Sequence, residues 1–500
     1  MIEGMLHARE RDSRASASSP GRLLAADWLF LAVLVALGAA LRFYALGSPL
    51  WFDEILTLLE SVRLPLSRIV THFPGNNDHP LYSVLAHLSV QAFGETAWAL
   101  RLPAALFGVA AIPLLYVLGV AVTQRREAAA ACVMLTVSYH HIWFSQNARA
   151  YTALLVWALV STIALLRWLD TGKRSYLVLY AVSTAAGAYG HLTMVLVSVG
   201  QALAMAADWL AYRRSSRLHN EWRTLAAGFA GAAVLTVLMY APMLLDLGTF
   251  FTTQTARQNE VATPRWAILA ALKGLELGFG LKWGIALGAI VALAGTVSYL
   301  RERPTVALLF LLPAPVTVGL ALAVGRPIFP RFAFFALGFA LLIIVRGAGR
   351  VGELVTGFSN GSVSRQTGRS LAIVLLTSAA IVLSLRSLPY AYRYPKQNYP
   401  EAVSMVERMA GSRDRVVLVG DPAAVPIQGY FGKPWVRVST TAELRAAQRQ
   451  ADRVWVVYTF PAYIQAAQPQ LWMMLRDECR ELAEIHGTVA GGSITIRRCP

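Results

Sequence analysis

Apolar stretches of roughly 18–22 residues, each long enough to carry a helix across the hydrocarbon core of a bilayer, recur along this chain and leave it few choices of fold. They fall near residues 28–46, 101–121, 128–144, 150–167, 176–189, 192–211, 225–246, 283–300, 305–324, 329–345 and 370–388. No water is at hand in lipid to satisfy backbone N–H and C=O groups, so each stretch is expected to be an α-helix. Only 15% of the 500 residues are charged, against about 25% in a soluble protein. The fold class that follows is a mostly α, polytopic transmembrane bundle of about eleven spans.

The net charge of +17 has a topological reading rather than a nucleic-acid one, because the arginines gather in short loops between apolar segments. Arg125 and Arg126, Lys173 and Arg174, Arg213, Arg214 and Arg217, Arg301 and Arg303, and Arg346, Arg350, Arg365 and Arg369 fall on one side with the N-terminal arginines. That side is expected to be cytoplasmic. Residues 1–27 then form a cytoplasmic tail and the first helix stays as an anchor. The chain is placed in the cell (inner) membrane as a multi-pass protein.

Parity sharpens the topology. Helix one leaves the cytoplasm and span 101–121 must end inside at Arg125, so no complete crossing lies between them. The apolar run 80–93 is too short to span comfortably. It reads as a juxtamembrane or re-entrant helix in a large first outer loop, 47–100. EILTLLESVRLPLSRIV, earlier in that loop, has the spacing of an interfacial helix. Residues 28–390 make up the membrane domain, with 347–369 as a polar cytoplasmic linker. From 391 to 500, strand-like runs at 416–420 and 453–459 alternate with polar helical patterns, so a small α/β domain is expected outside the membrane. It has no Gly-rich phosphate loop.

Charges at the outer helix ends are the informative residues, because charge at a membrane edge is costly. Asp53 and Glu54 follow helix one in LWFDE. Adjacent carboxylates near apolar surface raise one another's pKa, and one of them would serve as general base toward an acceptor hydroxyl. A helix cap is the structural alternative. Asp78 and His79 lie in NNDHPLY, a turn that would hold a metal or orient a phosphate, or simply cap a helix. Gln146, Asn147, Arg149 and Tyr151 lie in SQNARAY, and Arg326 and Arg331 in GRPIFPRFAFF. Outward arginines run against the positive-inside pattern. Their forked donors suit a lipid phosphate, with snorkelling as the alternative. His191 in AYGHLTM lies at another outer turn, where a structural hydrogen-bonded histidine is the commoner case. Together these groups suit a substrate with an apolar tail, an anionic phosphate and a polar head.

LWFDE, DHPLY, FGETAWALRLPAALFG, SQNARAYTALL and YGHLTM, in this order over about residues 40–210, resemble the GT-C superfamily of polyprenyl-phosphate-sugar glycosyltransferases. The nearest branch holds protein O-mannosyltransferases and the lipid A aminoarabinose transferases. The resemblance implies an inverting transfer at the outer membrane face from a polyprenyl-phosphate-linked sugar donor to a glycan, lipid or protein acceptor. It implies Asp53 as base with Glu54 beside it, Arg149 and Arg331 on the donor phosphate, and His79 and Arg101 shaping the pocket. No cofactor is named by the sequence, a divalent metal ion being the one candidate, and no nucleic-acid partner is expected. The alternative is a polytopic transporter or lipid flippase, which would place paired broken helices in two repeated halves, and no such repeat is visible.

Three cysteines remain. Cys132 falls inside a span, where a thiol is a small apolar filler. Cys479, expected on a helix through LWMMLRDECRELAEIHG, and Cys499, ending the last strand, share the external domain. An oxidising compartment favours their pairing as a disulfide, with two free thiols as the alternative.

Overall fold

The computed structural model describes residues 23–75, 77–212, 216–253, 264–279, 282–323, 325, 329–357 and 364–500. Arg326, Arg213, Arg214 and most of the N-terminal tail lie outside the described residues. The chain is a multi-pass helical membrane protein with a small sheet at its C-terminus. Its early helices are α1 (Ala25–Phe43), α2 (Phe52–Thr57), α3 (Pro80–Phe93), α4 (Ala97–Val122), α5 (Arg125–Val137), α6 (Tyr139–Ser145), α7 (Tyr151–Thr171), α8 (Arg174–Gly190) and α9 (Thr193–Ala207). The later ones used below are α10 (Leu337–Gly357), α11 (Arg365–Arg393) and α12 (Tyr399–Met409).

Nine helices among the described residues are long and apolar enough to cross a membrane, against the eleven expected. The two that fall short are 128–144 and 176–189. The first is broken at Ser138, whose hydroxyl caps α6 by accepting from the His141 amide, so that α5 and α6 meet at an angle. The second, α8, stops after 17 residues at Gly190, a rise of roughly 26 Å. Residues 80–93 form α3, a helix of 14 residues.

Three sequence-based expectations are corrected, two of them in the membrane domain. The polar linker at 347–369 is mostly helix, because α10 runs on to Gly357 and α11 begins at Arg365. Its glycines let backbones touch. A Cβ at Gly347 would collide with the Val291 carbonyl oxygen, and one at Gly352 with that of Gly368. Small residues allow such close approach in membranes. The stretch 54–70 is not one interfacial helix. It is α2, a π-turn over Leu58–Val62, a break at Pro65 and a short helix at Leu66–Ile69. Its apolar side is buried in protein rather than lipid, since Ile55, Leu58 and Val62 share a core with Tyr399, Val403 and Val406 of α12.

The two ends of the bundle differ chemically. At the end holding the basic loops, Arg125 pairs with Asp27, Arg369 with Glu127 and Glu353, and Arg346 and Arg350 with Glu302. At the other end the first loop, the α6–α7 junction, the α8–α9 turn and the C-terminal domain meet.

That domain carries β1 (Arg415–Val419), β2 (Val436–Val438), β3 (Val454–Thr459), β4 (Arg480–Ile485) and β5 (Ile494–Cys499) in the order β2-β1-β3-β5-β4. β1 is parallel to β2 and β3, while β5 runs antiparallel to β3 and β4. Cys479 is not inside a helix as expected. The helix Pro469–Glu478 ends just before it, and the residues that follow pair with β5. Cross-strand pairing outweighs local helix propensity there. The result places Cys479 beside Cys499 with Cα atoms 4.2 Å apart, and a disulfide joins them. Cys132 is a buried free thiol.

Candidate active site

The LWFDE segment is short of local capping. Trp51 precedes α2 and offers no side-chain oxygen, so the first amides of the helix need acceptors from elsewhere. Glu54 reaches back to the Trp51 amide at 3.3 Å. Its carboxylate also accepts from Arg101 Nε at 2.7 Å, Arg101 Nη2 at 2.5 Å and the Ala148 amide at 2.8 Å. Both side chains of the Arg101–Glu54 pair are 0% exposed. Arg101 donates further to the carbonyls of Leu46, Ser48 and Pro49, so one guanidinium gathers the chain leading into α2.

These contacts give Glu54 a structural part in the first loop. Burial pushes its carboxyl up, but Arg101 and then Lys396 outweigh it and hold the group below the usual carboxylate range. A carboxylate with four donors on its two oxygens is held in place by the fold. Arg101 is likewise a buried brace for this loop.

Asp53, one residue earlier, points the other way. Its side chain keeps 15% exposure and its one ionic partner among the described residues is Arg331, with Nη1 3.6 Å from Oδ2. Its backbone carbonyl accepts from Asn77 Nδ2 at 3.0 Å, and the Asn77 carbonyl accepts from Arg149 Nη1 at 3.0 Å. Asp53 and Arg149 are thus tied through one asparagine of the first loop.

Around them His79 and His191 stack with ring centroids 4.7 Å apart, and Tyr151 stands against both at 6.2 and 5.4 Å. Burial first, then the positive charges of Arg149 and Arg331, drive both imidazoles down, His191 to about 3. Both are therefore neutral, each with one donor and one acceptor nitrogen. Asp78 accepts from Ser61 at 3.2 Å and Ser83 at 3.4 Å, and burial pushes its carboxyl up to about 7.

Most buried polar atoms in proteins have a partner, so a knot of unpaired ones calls for explanation. Asp78 Oδ2, both ring nitrogens of His79, Arg149 Nε, the Tyr151 hydroxyl, His191 Nε2 and Arg331 Nε all lack a hydrogen bond of good geometry. These atoms come from four separate segments and converge at one end of the bundle. Such a cluster, positive and aromatic, is fitted to an anionic, hydrogen-bonding ligand. It is poorly fitted to a metal. Among the described residues no three His, Cys, Asp or Glu side chains come together to hold one, and two arginines face the histidines.

The remaining expected residues have structural work. Gln146 donates to the carbonyls of Arg42 and Tyr44 at 3.0 and 2.6 Å. Asn147 accepts from Trp51 Nε1 at 3.0 Å. In SQNARAY it is therefore Arg149 and Tyr151 that reach the cluster. Lys396 and Gln397 went unnoticed in the sequence. Lys396 is buried over the Trp143 ring, 3.9 Å from Glu54 and bonded to the Gln146 carbonyl. Burial lowers its ammonium to about 7. The signal available was a lysine just after an apolar helix, in a run rich in aromatics, YRYPKQNY.

Residues 77–240 match the family model of dolichyl-phosphate-mannose-protein mannosyltransferases. The structure resembles that of ArnT from Cupriavidus metallidurans in the apo state, with 14% identity, a TM-score of 0.56 and coverage of 95% of this chain and 98% of that one. The same protein bound to undecaprenyl phosphate matches at 13% identity and a TM-score of 0.53, with the same coverage. The oligosaccharyltransferase of Archaeoglobus fulgidus in the apo form matches at 12% identity and a TM-score of 0.54, covering 93% of this chain and 74% of that one. No curated protein matches the chain in sequence. At such identities the likeness is one of fold.

Proposed function

For a membrane chain with the fold of the GT-C superfamily, we propose that the activity is inverting glycosyl transfer from a polyprenyl-phosphate-linked sugar to a lipid, glycan or protein acceptor. The observation that carries this reading is the pairing of a partly exposed carboxylate, Asp53, with Arg331 beside a second arginine, Arg149, whose Nε has no partner. A polyprenyl phosphate needs an apolar bundle for its tail and cations for its head. The ArnT structure with undecaprenyl phosphate supports that choice of lipid by analogy of fold. By the positive-inside pattern the site faces away from the cytoplasm.

The chemistry divides among this chain's residues. Asp53 takes the proton of the acceptor hydroxyl as its oxygen attacks the anomeric carbon. The bond between that carbon and the phosphate oxygen breaks on the opposite face, so the configuration inverts, as in single-displacement glycosidases. The electron pair leaves on the lipid phosphate, and Arg149 and Arg331 stabilise the charge that develops there. Neutral His79 and His191 offer hydrogen bonds to sugar or phosphate without adding repulsion to the arginines. Glu54 and Arg101 hold the loop.

Purified protein supplied with a radiolabelled polyprenyl-phosphate hexose or pentose and a membrane glycolipid extract should transfer label and release polyprenyl phosphate. Asp53→Asn should lose at least 100-fold in rate, the lower end of what a general base supplies. Full transfer from a water-soluble nucleotide sugar would exclude this donor class.

A further inference from the structure

The short helix α2 that carries Asp53 begins with an amide that nothing in its own neighbourhood satisfies. The Phe52 N–H is one residue from Asp53, and its acceptor is Gln397 Oε1 at 2.9 Å, 345 positions away in sequence. Gln397 is fully buried. Its Nε2 donates to Thr459 Oγ1 at 3.0 Å, and the Tyr399 hydroxyl donates to its Oε1 at 3.3 Å. Thr459 is the last residue of β3, and Tyr399 opens α12. The Tyr399 hydroxyl also reaches the Pro422 carbonyl. The carboxamide therefore has one end on α2 and the other on the C-terminal end of a sheet strand.

Side-chain oxygens commonly cap a helix from the preceding residue. Here Trp51 holds that place, so the cap comes from the junction between the membrane bundle and the sheet domain. We propose that Gln397 is a positioning residue, capping α2 in trans so that docking of the C-terminal domain sets the orientation of the Asp53 carboxylate. Thr459 accepts from the amide nitrogen, and the Phe52 N–H, which can only donate, requires the amide oxygen on its side. Lys396 fixes the same dipeptide from the other side through Glu54 and the Gln146 carbonyl. The sheet domain thereby becomes part of the catalytic geometry and not an appended module. Among the described residues Gln397 has no hydrogen bond to Arg149 or Arg331, so its loss should act on kcat more than on donor KM. This inference rests on the reading of Asp53 as base.

The test compares Gln397→Ala, Gln397→Glu and Thr459→Val with Asp53→Asn in the full-length protein, reading kcat and donor KM separately. Misplacing a catalytic group by about 1 Å costs on the order of 100-fold. Gln397→Ala should lower kcat between tenfold and 100-fold with donor KM within twofold. Gln397→Glu keeps an oxygen for the Phe52 amide and can accept from the Thr459 hydroxyl. It should recover most of the lost kcat. Thr459→Val leaves the amide nitrogen without its acceptor and loosens the side chain, so it should lower kcat severalfold, which keeps the idea testable if the alanine variant does not fold. Near-parental kcat in Gln397→Ala or Thr459→Val overturns the positioning role. So does a Gln397→Glu variant no better than alanine, which would mean that the amide only fills space. An active Asp53→Asn variant would instead overturn the base assignment itself, separating the two failures.

Discussion

Two adjacent carboxylates with opposite fates allow a sharp experiment. Glu54→Gln should cost stability and Asp53→Asn should cost chemistry. Glu54 and Arg101 are both 0% exposed, so solvent screens nothing between them. The glutamine keeps an acceptor for the Ala148 amide but leaves a buried guanidinium with neutral partners, the carbonyls of Leu46, Ser48 and Pro49 and the Ser48 hydroxyl. Lys396, 3.9 Å away, loses its counter-charge as well. Breaking one partner of a buried pair costs about 3–5 kcal/mol, enough to lower a detergent unfolding midpoint by on the order of 5–10 °C. The pH dependence follows in sign. The Glu54 carboxyl is held below its ordinary 4.5, burial opposing and Arg101 prevailing. Its contribution is therefore complete above about pH 4.5 and fades as pH falls through the lower folded value. The part of the glutamine variant's deficit that comes from Arg101, charged throughout, should persist across the neutral range and shrink in acid. Asp53 is partly exposed and its partner 3.6 Å away, so Asp53→Asn should shift stability by less than about 1 kcal/mol. Thermal unfolding and transfer rate, measured on both variants, decide the matter. A Glu54→Gln protein as stable as the parent, or one that loses only turnover, would refute the structural role given to Glu54.

Arg149→Ala and Arg331→Ala should each raise donor KM by roughly 10- to 150-fold, from the ~1.5–3 kcal/mol carried by a hydrogen bond to a charged group, as read by initial rates against donor concentration. A reporter fused after residue 96 should read outside and one after residue 126 inside, and a cytoplasmic signal at 96 would mean that α3 crosses. Cys479 and Cys499 should resist alkylation until reduced, as mass spectrometry of labelled protein would show. Reduction should lower the stability of the C-terminal domain by about 3 kcal/mol for a closed loop of this length.

Hydrophobic length and arginine placement alone make the membrane bundle legible, because lipid forces the backbone into helices and loop charge sorts their ends. The same sequence points to Asp53, His79, Arg149, Tyr151, His191 and Arg331, since charged or polar groups at a membrane edge stand out against an apolar background. What local reasoning misjudges are the partners. Asp53 and Glu54 look alike in LWFDE, and only the arrival of Arg101 from α4 and the Ala148 amide from the α6–α7 junction makes one of them a brace. Gln146 and Arg149 share a motif, yet the turn between α6 and α7 sends one to the carbonyls of Arg42 and Tyr44 and the other into the cluster. Gln397 carries no local mark at all. Its role comes from a hydrogen bond spanning most of the chain, and no periodicity or composition encodes a contact between residues that meet only when a sheet domain docks on a helical bundle.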